Sequence, residues 1–490
     1  MARLLLLGIA VLLSTAAALA QQAPKKRPPN VVFVMADDLG YGELGCFGQT
    51  KIHTPHLDQL AAQGMRLTRY YCGSPVCAPS RCVLMTGKHP GHAAVRDNKE
   101  AQPEGQWPLP ASEKTLGEVM QAGGYVTGAF GKWGLGPFGS TGDPLHRGFN
   151  RFFGYNCQRH AHSYWPEFLY DDAKRIPLAN DPPVPGGGKL KPDEDPSDPK
   201  SYARFIGKDY APDRIQAAAV AFLLTNKNRP FFLYLPSVIP HLALHIPDAE
   251  AKAYAGQWEE KPYTGGNGYT PHPTPRAAYA AMITRLDREV GQLVDLLDEL
   301  GLRENTIVVF TSDNGATHSP VGGTDVDFFD SCGGLRGRKG SMYEGGIRVP
   351  AIVSWPGVVP KGSASARLVG SEDWLATLTE LCGVNNPIDG DGVSFAATLR
   401  GEEQAERPFL YREFAGYGGW QAVWVDNLKL VRKNMQKPKF VTELYDLAKD
   451  PTEASDLSGA RPETVQKLLS IVDREHVPSA TFPLKGIDGD

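Results

Sequence analysis

The 490-residue sequence has no long run of lysine and arginine, a formal net charge of only −4 and no internal repeat. The nearly balanced charge argues against a groove that follows nucleic acid, so we expect a small partner and no nucleic acid. Beyond residue 20 no apolar stretch is long enough to cross a bilayer, and we expect no stable membrane insertion. The 41% hydrophobic content suffices for one large domain and a smaller one.

The amino terminus carries the longest apolar run. Arg3 precedes mostly apolar residues from Leu4 to Leu19, and small residues stand at Ala18 and Ala20. This pattern is typical of a signal peptide cleaved after residue 20. A membrane anchor is the alternative, but the run is short for a spanning helix and no stop-transfer charges follow it. We therefore predict that residues 1–20 are removed and that the protein is exported, to the periplasm or outside the cell.

Four apolar segments have the pattern of strands that are buried on both faces of a sheet. They run from Asn30 to Ala36, from Tyr125 to Phe130, from Phe231 to Leu235 and from Thr306 to Thr311. Helices with clear boundary signals lie between them, such as a capping box from Thr115 to Glu118. This alternation predicts an α/β fold with a large, mostly parallel central sheet flanked by helices. Polar residues follow each strand, at the edge where such folds bind ligands.

Two internal stretches and the carboxy-terminal part depart from this pattern. Asn180 to Ser201 and Gly256 to Pro275 are rich in proline, glycine and charge, and they are either rims of a binding site or surface insertions. Towards the carboxy terminus, short strands follow one another and predict a small antiparallel sheet. We therefore predict a large domain over residues 21–404 and a small C-terminal subdomain over residues 405–490.

The polar residues after two strands form a candidate metal site. Asp37 and Asp38 follow one strand, and Asp313 and Asn314 follow another. Three carboxylates in one crevice repel one another unless a cation neutralises them. The amide and potentially bidentate carboxylates favour Ca²⁺, with Mg²⁺ as the alternative. Taken alone, either pair is more often a simple turn after a strand.

Seven cysteines are an odd number for a chain that we expect to be exported. One of them could therefore have a chemical role, while the other six are free or paired in up to about 15 ways. Cys77 begins the segment Cys-Ala-Pro-Ser-Arg at residues 77–81, which Thr86-Gly87 follows. Pro79 suits the first turn of a helix, whose positive end would then hold Cys77. Arg81 adds a fixed positive charge nearby.

This segment resembles the signature of the sulfatase family, Cys-x-Pro-Ser-Arg with a downstream Thr-Gly. The resemblance implies that a formylglycine-generating enzyme, a transient partner, oxidises Cys77 to formylglycine. In that family the hydrated aldehyde is the nucleophile, and the residue that carries it is also a metal ligand. Such a hydrate has an advantage over serine or cysteine, because its second hydroxyl can expel sulfate by collapsing to the aldehyde.

The resemblance extends over nearly the whole mature chain. The similar elements are Asp37 to Gly42, Gly131-Lys132-Trp133, Pro240-His241, Ser312 to Gly315, Lys339 to Gly346, and Leu444-Tyr445-Asp446-Leu447. The first and fourth look like the two halves of the family's metal motif. They imply that one divalent cation is held by Asp37, Asp38, Cys77, Asp313 and Asn314.

The resemblance also implies roles for the positively charged residues. Charge grows on the sulfuryl oxygens and on the leaving oxygen in the transition state, and Arg81, Lys132 and Lys339 would neutralise it. His241, with Lys339 beside it, is the candidate general acid for the leaving alcohol. These elements together predict a catalytic domain over residues 21–404.

One position departs from the family pattern. Many members have histidine two residues after the lysine, as in Gly-Lys-Trp-His, and assign it to removing a proton from the formylglycine hydrate. Here that position is Gly134. His160 and His162 are possible substitutes, although they could equally bind substrate or lie on the surface.

The resemblance implies the alkaline phosphatase-like fold and an arylsulfatase-type sulfuric ester hydrolase. Export and the long internal stretches favour extracellular sulfated carbohydrates as substrates, although another sulfate ester remains an alternative. A phosphatase or phosphodiesterase of the same superfamily is the runner-up, but those enzymes usually attack with threonine or serine and bind two metals. A non-catalytic glycan-binding protein on this scaffold is the third reading, against which the intact Cys77, Arg81 and Lys132 argue.

Overall fold

The computed structural model of the protein describes residues 27–102, 105–266, 268–385 and 390–489. The predicted signal peptide, residues 1–20, lies outside these ranges. Within them, no helix combines the length and the apolar character needed to cross a bilayer. All seven cysteines fall within the described ranges, and none of them forms a disulfide there.

A ten-stranded mixed sheet forms the centre of the protein, in the order β11-β2-β10-β9-β1-β8-β4-β5-β6-β7. The strands of the described residues are β1 (Asn30–Ala36), β2 (Met65–Leu67), β3 (Tyr70–Tyr71), β4 (Val126–Lys132), β5 (Arg151–Tyr155), β6 (Phe168–Asp171), β7 (Lys174–Pro177), β8 (Phe231–Pro236), β9 (Thr306–Ser312), β10 (Ile352–Ser354), β11 (Ser363–Ser365), β12 (Val369–Gly370), β13 (Leu410–Phe414), β14 (Trp420–Val425), β15 (Leu428–Lys433) and β16 (Val441–Asp446). The five central strands, β9, β1, β8, β4 and β5, are parallel. The predicted α/β fold with a large, mostly parallel sheet is therefore confirmed.

Helices cover both faces of this sheet. They are α1 (Pro55–Ala62), α2 (Cys77–Thr86), α3 (Leu116–Ala122), α4 (Ala211–Asn226), α5 (Asp248–Ala251), α6 (Pro275–Glu299), α7 (Glu344–Ile347), α8 (Asp373–Cys382), α9 (Ala396–Leu399), α10 (Pro462–Glu475) and α11 (Lys485–Asp488). Alternate residues of β1 enter two different hydrophobic cores, Phe33 with α2, α3 and α8, and Val34 with α1, α4 and α6. Burial on both faces explains why β1 is continuously apolar.

Three of the four predicted strands extend beyond their predicted ends. β1 has the predicted bounds, but β4 continues through Lys132, β8 through Pro236 and β9 through Ser312. The backbone of Lys132 pairs with that of Tyr155 in β5, and Lys132 is only 1% exposed. A lysine normally marks the end of a buried strand, and this one is tolerated because its ammonium group is ion-paired. The capping box at Thr115 and Glu118 is present at the start of α3, as predicted.

The carboxy-terminal strands β13 to β16 form an antiparallel sheet, which confirms the predicted small sheet. One face packs against α10 through Tyr411 and Val472. The other face, with Phe414 and Trp424, belongs to the same hydrophobic core as α2 and α8. The sheet thus packs directly against the main body, and the domain boundary between residues 404 and 405 stays a prediction.

A fully buried ion pair joins this sheet to the main body. Arg412 in β13 donates from Nη1 to Oε1 of Glu372 at 2.9 Å and from Nη2 to Oε2 at 2.7 Å. Its Nε also donates to the carbonyl oxygen of Cys72 at 2.8 Å. Neither side chain of the pair has measurable exposure. Arg412 therefore holds together β13, the start of α8 and the segment that leads to Cys77.

We expect Arg412→Ala to lower the free energy of unfolding by about 3–5 kcal/mol, because it removes the two short hydrogen bonds to the buried Glu372 and leaves only its longer contact with Arg407 at 3.5 Å. Arg400→Ala is the matched control, since its pair with Glu380 is partly exposed and contributes about 1 kcal/mol or less. Denaturant titration of both variants measures the difference. Equal losses for the two variants would contradict a structural role for the buried pair.

Candidate active site

Neighbouring strands end at one edge of the sheet and bring the predicted site residues together. Asp313 follows β9, Asp37 and Asp38 follow β1, and Lys132 is the last residue of β4. His241 lies in the segment after β8. Because β9, β1, β8 and β4 are adjacent and parallel, their carboxyl ends share one crevice.

Cys77 is the first residue of α2. Val76 before it is extended, and Gly87 ends the helix with a left-handed conformation at φ 67°. Pro79 lies in the first turn, where its missing N–H removes no intrahelical bond. Cys77 is 2% exposed, and its Sγ lies 3.5 Å from Oδ1 of Asp37. The predicted placement of Cys77 at the positive end of a helix is what the structure has.

Two lysines lie on either side of the Cys77 sulfur. Nζ of Lys132 is 3.6 Å from Sγ and donates to Oδ2 of Asp37 at 2.6 Å. Nζ of Lys339 is 3.7 Å from Sγ and donates to both carboxylate oxygens of Asp38, at 2.6 and 2.8 Å. Each lysine thus bridges the sulfur and one carboxylate.

Arg81 connects the helix to the other strand end. Its Nε and Nη2 donate to Oδ2 of Asp313 at 3.1 and 2.7 Å, and its Nη1 donates to the carbonyl oxygen of Lys132. The amide of Asn314 donates to Oδ1 of Asp38 at 2.8 Å. Arg81, Asp313 and Asn314 have no measurable exposure. The pairing of Arg81 explains how a guanidinium can be buried at this depth.

The pKa values of these groups depend on their pairing. Burial raises the pKa of Asp38, but the attraction of Lys339 and His241 outweighs it, so the net pKa lies below its ordinary value. The pKa of Asp37 is also lowered despite burial, and the charge of Lys132 is the strongest attraction that lowers it. Burial and the like charge of Asp37 raise the pKa of Asp313 to about 6. The pKa values of the three carboxyl groups therefore differ, as expected for like charges in one crevice.

The carboxylate and amide oxygens of this crevice fit a hard divalent cation. Ligand atoms of Asp37, Asp38, Cys77 and His241 all lie within 4.8 Å of one another. Asn314 adjoins them, and its Oδ1 is buried without a hydrogen-bond partner. A buried acceptor without a donor is unfavourable, and a cation would satisfy it. The structure therefore brings all five predicted metal ligands to one place, next to His241.

His241 has a defined orientation. Its Nδ1 lies 2.6 Å from the carbonyl oxygen of Leu242, so Nδ1 carries the proton of that hydrogen bond. Its Nε2 is directed towards Asp38, 3.7 Å from Oδ2. Burial lowers the pKa of His241 to about 4. The imidazole is therefore neutral near pH 7 when no anion is bound beside it.

The two histidines proposed as substitutes for the family's residue lie in different surroundings. His162 stacks on His241 with ring centroids 5.0 Å apart and an interplanar angle of 19°. His160 instead packs against Phe168, with centroids 4.4 Å apart, and against Tyr155. The structure thus brings His162 to the site and places His160 in an aromatic cluster.

The space beside Gly134 is filled by a residue that the sequence analysis did not identify. A Cβ at position 134 would lie 2.9 Å from Nε2 of Gln158, and the backbone φ of 79° is also unfavourable for other residues. Gln158 is 6% exposed, and its Nε2 has no hydrogen-bond partner. Its position in the same segment as His162 was the one available signal.

The two long internal stretches are joined to each other. The backbone N–H of Leu190 donates to the carbonyl oxygen of Thr264 at 2.9 Å. The backbone N–H of Gly266 donates to the carbonyl oxygen of Gly188 at 3.2 Å. Tyr269 of the second stretch lies beside the site, with its ring centroid 5.6 Å from that of His162. The second stretch is therefore a rim of the crevice rather than a remote insertion.

Comparison with known proteins agrees with this geometry. The sulfatase family model matches residues 29–384, and the model described as N-sulphoglucosamine sulphohydrolase, C-terminal, matches residues 337–473. Arylsulfatase A of Homo sapiens is 32% identical over an alignment that covers 93% of this chain and 89% of that protein. N-acetylgalactosamine-6-O-sulfatase of Bacteroides thetaiotaomicron is 29% identical, with 91% and 92% covered.

A solved structure shares the fold over most of its length. Ps i-CgsB in complex with k-i-k-neocarrahexaose superposes with a TM-score of 0.73 at 25% identity, and 92% of this chain and 94% of that chain are covered. The family match and the relatives favour sulfate esters over the phosphatase alternative. The chain therefore belongs to the sulfatase family and is a sulfuric ester hydrolase.

Proposed function

We propose that the protein hydrolyses sulfate monoesters of extracellular carbohydrates, with formylglycine made from Cys77 and one divalent cation. The observation that carries the proposal is the arrangement around Cys77, where two lysine Nζ atoms lie within 3.7 Å of the sulfur. Arg81 and the oxygen ligands of the cation adjoin them. Such a site attracts a small anion such as a sulfate group.

Cys77 is poorly suited to act as a thiolate. Burial raises the pKa of its thiol to about 12, even though Lys132 and Lys339 lie beside it. The thiolate is the reactive form of cysteine, and little of it exists at neutral pH with such a pKa. This supports conversion of Cys77 to formylglycine, whose hydrated aldehyde would supply the attacking hydroxyl.

Asp37, Asp38, residue 77, Asp313 and Asn314 would hold the cation, which supplies positive charge to the sulfate oxygens when it is bound. Lys132, Lys339 and Arg81 hold further positive charge in fixed positions. Because these groups are buried and already paired, they need little reorganisation as negative charge develops in the transition state.

His241 is the proposed general acid for the leaving alcohol. Its Nδ1 is fixed on Leu242, so Nε2 is the nitrogen that would hold and donate the proton. Burial lowers its pKa to about 4, and an incoming anionic sulfate would raise that pKa by direct attraction. Protonation of His241 would then accompany substrate binding.

We further propose a sulfated carbohydrate as substrate and His162 as one of the residues that hold it. A bacterial relative is named for a sulfated amino sugar, and a similar structure contains an oligosaccharide. Burial, and next the charge of His241 and Lys132, lower the pKa of His162 to about 2, so its imidazole is neutral. A neutral imidazole at the rim can exchange hydrogen bonds with sugar hydroxyls.

We expect the purified protein to hydrolyse 4-nitrocatechol sulfate far faster than the matching aryl phosphate. The reason is that the formylglycine nucleophile and the single cation proposed here differ from the two-metal sites of phosphatases. Parallel initial rates on both esters measure the preference. A higher rate on the phosphate would refute the proposed reaction, and no turnover of either would favour a binding protein.

Cys77 should carry an aldehyde when the protein is made in a host with the modifying enzyme. Mass measurement of the tryptic peptide from Tyr70 to Arg81, after thiol alkylation, should show one alkylated cysteine and one formylglycine. Cys72 in the same peptide is the internal control, because it lies outside the signature segment. A fully active preparation with two alkylated cysteines would exclude the mechanism.

Exhaustive chelation should abolish activity, and added Ca²⁺ or Mg²⁺ should restore it. We expect Asn314→Ala to raise the metal concentration for half-maximal recovery at least about tenfold, because even outer-shell partners contribute that much. Elemental analysis of the protein gives a readout that does not depend on turnover. Asn427→Ala, at an exposed turn, is the matched control. Chelation without effect, together with no bound metal, would disprove the site.

Replacing His162 by Ala should raise KM for a sulfated saccharide and leave the small aryl sulfate nearly unaffected, because only the saccharide reaches it. His160→Ala is the matched control and should change neither parameter, since His160 packs against Phe168. Steady-state kinetics on both substrates provide the measurement. A fall in kcat on both substrates would instead give His162 the role of the base that Gly134 lacks.

A further inference from the structure

Tyr417 is the most exposed of the large hydrophobic side chains in the described part of the chain, at 61% exposure. It lies in the loop between β13 and β14 of the carboxy-terminal sheet. A single exposed aromatic side chain is ordinary on a protein surface, so the surroundings of this ring decide whether it has a role.

The loop holds Tyr417 in a defined and strained conformation. Its φ is 51°, a region that a bulky residue enters only when the surrounding structure requires it. The N–H of Gly419 donates to the carbonyl oxygen of Gly416 at 3.0 Å, and the N–H of Gln436 donates to that of Gly418 at 2.9 Å. These hydrogen bonds fix the backbone of the loop on both sides of the tyrosine and so fix the position from which its side chain extends.

The ring lies next to the active-site lysine. A Cβ at Gly340 would be 2.8 Å from Cδ1 of Tyr417, so the ring covers this glycine closely. Gly340 directly follows Lys339, and its N–H donates to the carbonyl oxygen of Pro75 at 2.9 Å. The Tyr417 ring thus covers the backbone next to Lys339, and Nζ of that lysine lies 3.7 Å from the sulfur of Cys77.

His318 extends the aromatic surface towards the metal ligands. Its ring stacks on Tyr417 with centroids 5.7 Å apart and an interplanar angle of 20°. Burial first, and Lys339 second, lower its pKa, so the imidazole is neutral near pH 7. Its Nε2 is buried without a hydrogen-bond partner. His318 thus lies over one face of the Tyr417 ring and carries a polar atom that has no partner in the described part of the chain.

We propose that Tyr417 and His318 form a binding subsite for the sugar next to the sulfated sugar of the substrate. The inference rests on the proposed carbohydrate substrate. A pyranose ring has one face of C–H groups that packs on an aromatic ring and hydroxyls that bond to a nearby imidazole. The Tyr417 ring lies at the backbone end of Lys339 and the sulfur of Cys77 lies at its Nζ end, and this separation suits a second ring better than the sulfated one.

Kinetics on three substrates test the subsite. These are 4-nitrocatechol sulfate, N-acetylgalactosamine 6-sulfate, and a chondroitin disaccharide that carries this sulfated sugar. We expect the protein without substitutions to bind the disaccharide better than the monosaccharide. Tyr417→Ala should raise KM for the disaccharide about fivefold to tenfold, the loss typical of one aromatic contact, and bring it close to the monosaccharide value.

Two further variants separate the subsite from a structural effect. Tyr417→Phe keeps the ring and should retain the disaccharide KM within about twofold. Leu224→Ala removes an exposed apolar side chain of α4 that is 44% exposed and should change no kinetic parameter. Retained turnover of 4-nitrocatechol sulfate by every variant shows that the fold and the catalytic groups are intact.

The possible failures are distinguishable. If Tyr417→Ala and the protein without substitutions turn over the disaccharide with the same KM, the subsite is overturned and the proposed function stands. Equal losses in Tyr417→Phe and Tyr417→Ala would overturn the ring-stacking contact. Turnover of the aryl sulfate without turnover of either saccharide would overturn the carbohydrate substrate, and the subsite with it.

Discussion

The structure depends on the mutual neutralisation of buried charges around Cys77. Asp37, Asp38 and Asp313 have almost no exposure, and Arg81 and Lys132 are buried with them. A buried ion without a partner is destabilising by several kcal/mol, so these groups are compatible with a folded protein only as a set. The same set produces a pocket of fixed charge, which is what an enzyme acting on an anionic ester needs.

The parallel sheet makes this set possible. Residues far apart in the chain meet because the carboxyl ends of neighbouring parallel strands lie at one edge. With β1 between β8 and β9, the N–H of Asp38 donates to Oδ1 of Asp313 at 3.2 Å. The helix that begins at Cys77 faces this edge and adds Arg81 from its second turn. The proposed catalytic groups thus come from strand ends, from one helix start and from the segments that contain His241 and Lys339, while the long stretch that contains Tyr269 supplies the rim.

The carboxy-terminal sheet takes part in the same arrangement. Lys429 of β15 is fully buried and forms ion pairs with Glu344, at the start of α7, and with Glu453. Glu344 belongs to the segment that begins with Lys339. The ion pair between Lys429 and Glu344 therefore anchors to the sheet the segment that carries Lys339 beside Cys77. Arg412 performs a similar function for the strand that leads into α2. These contacts explain how a separate-looking sheet at the end of the chain contributes to the geometry of the site.

The sequence by itself determined the family, the order of the central strands in the chain and the residues of the crevice, because these are carried by local patterns and short motifs. It ended β4 too early, because charged Lys132 has no local sign of its ion partner. It could not separate His160 from His162, which differ by two positions but lie in different surroundings. For Gln158 beside Gly134 its only sign was the segment shared with His162, and it had no sign of Tyr417 beside Lys339. Only the tertiary structure decided these points, because each depends on contacts between segments that are distant in the chain or on the direction of a side chain.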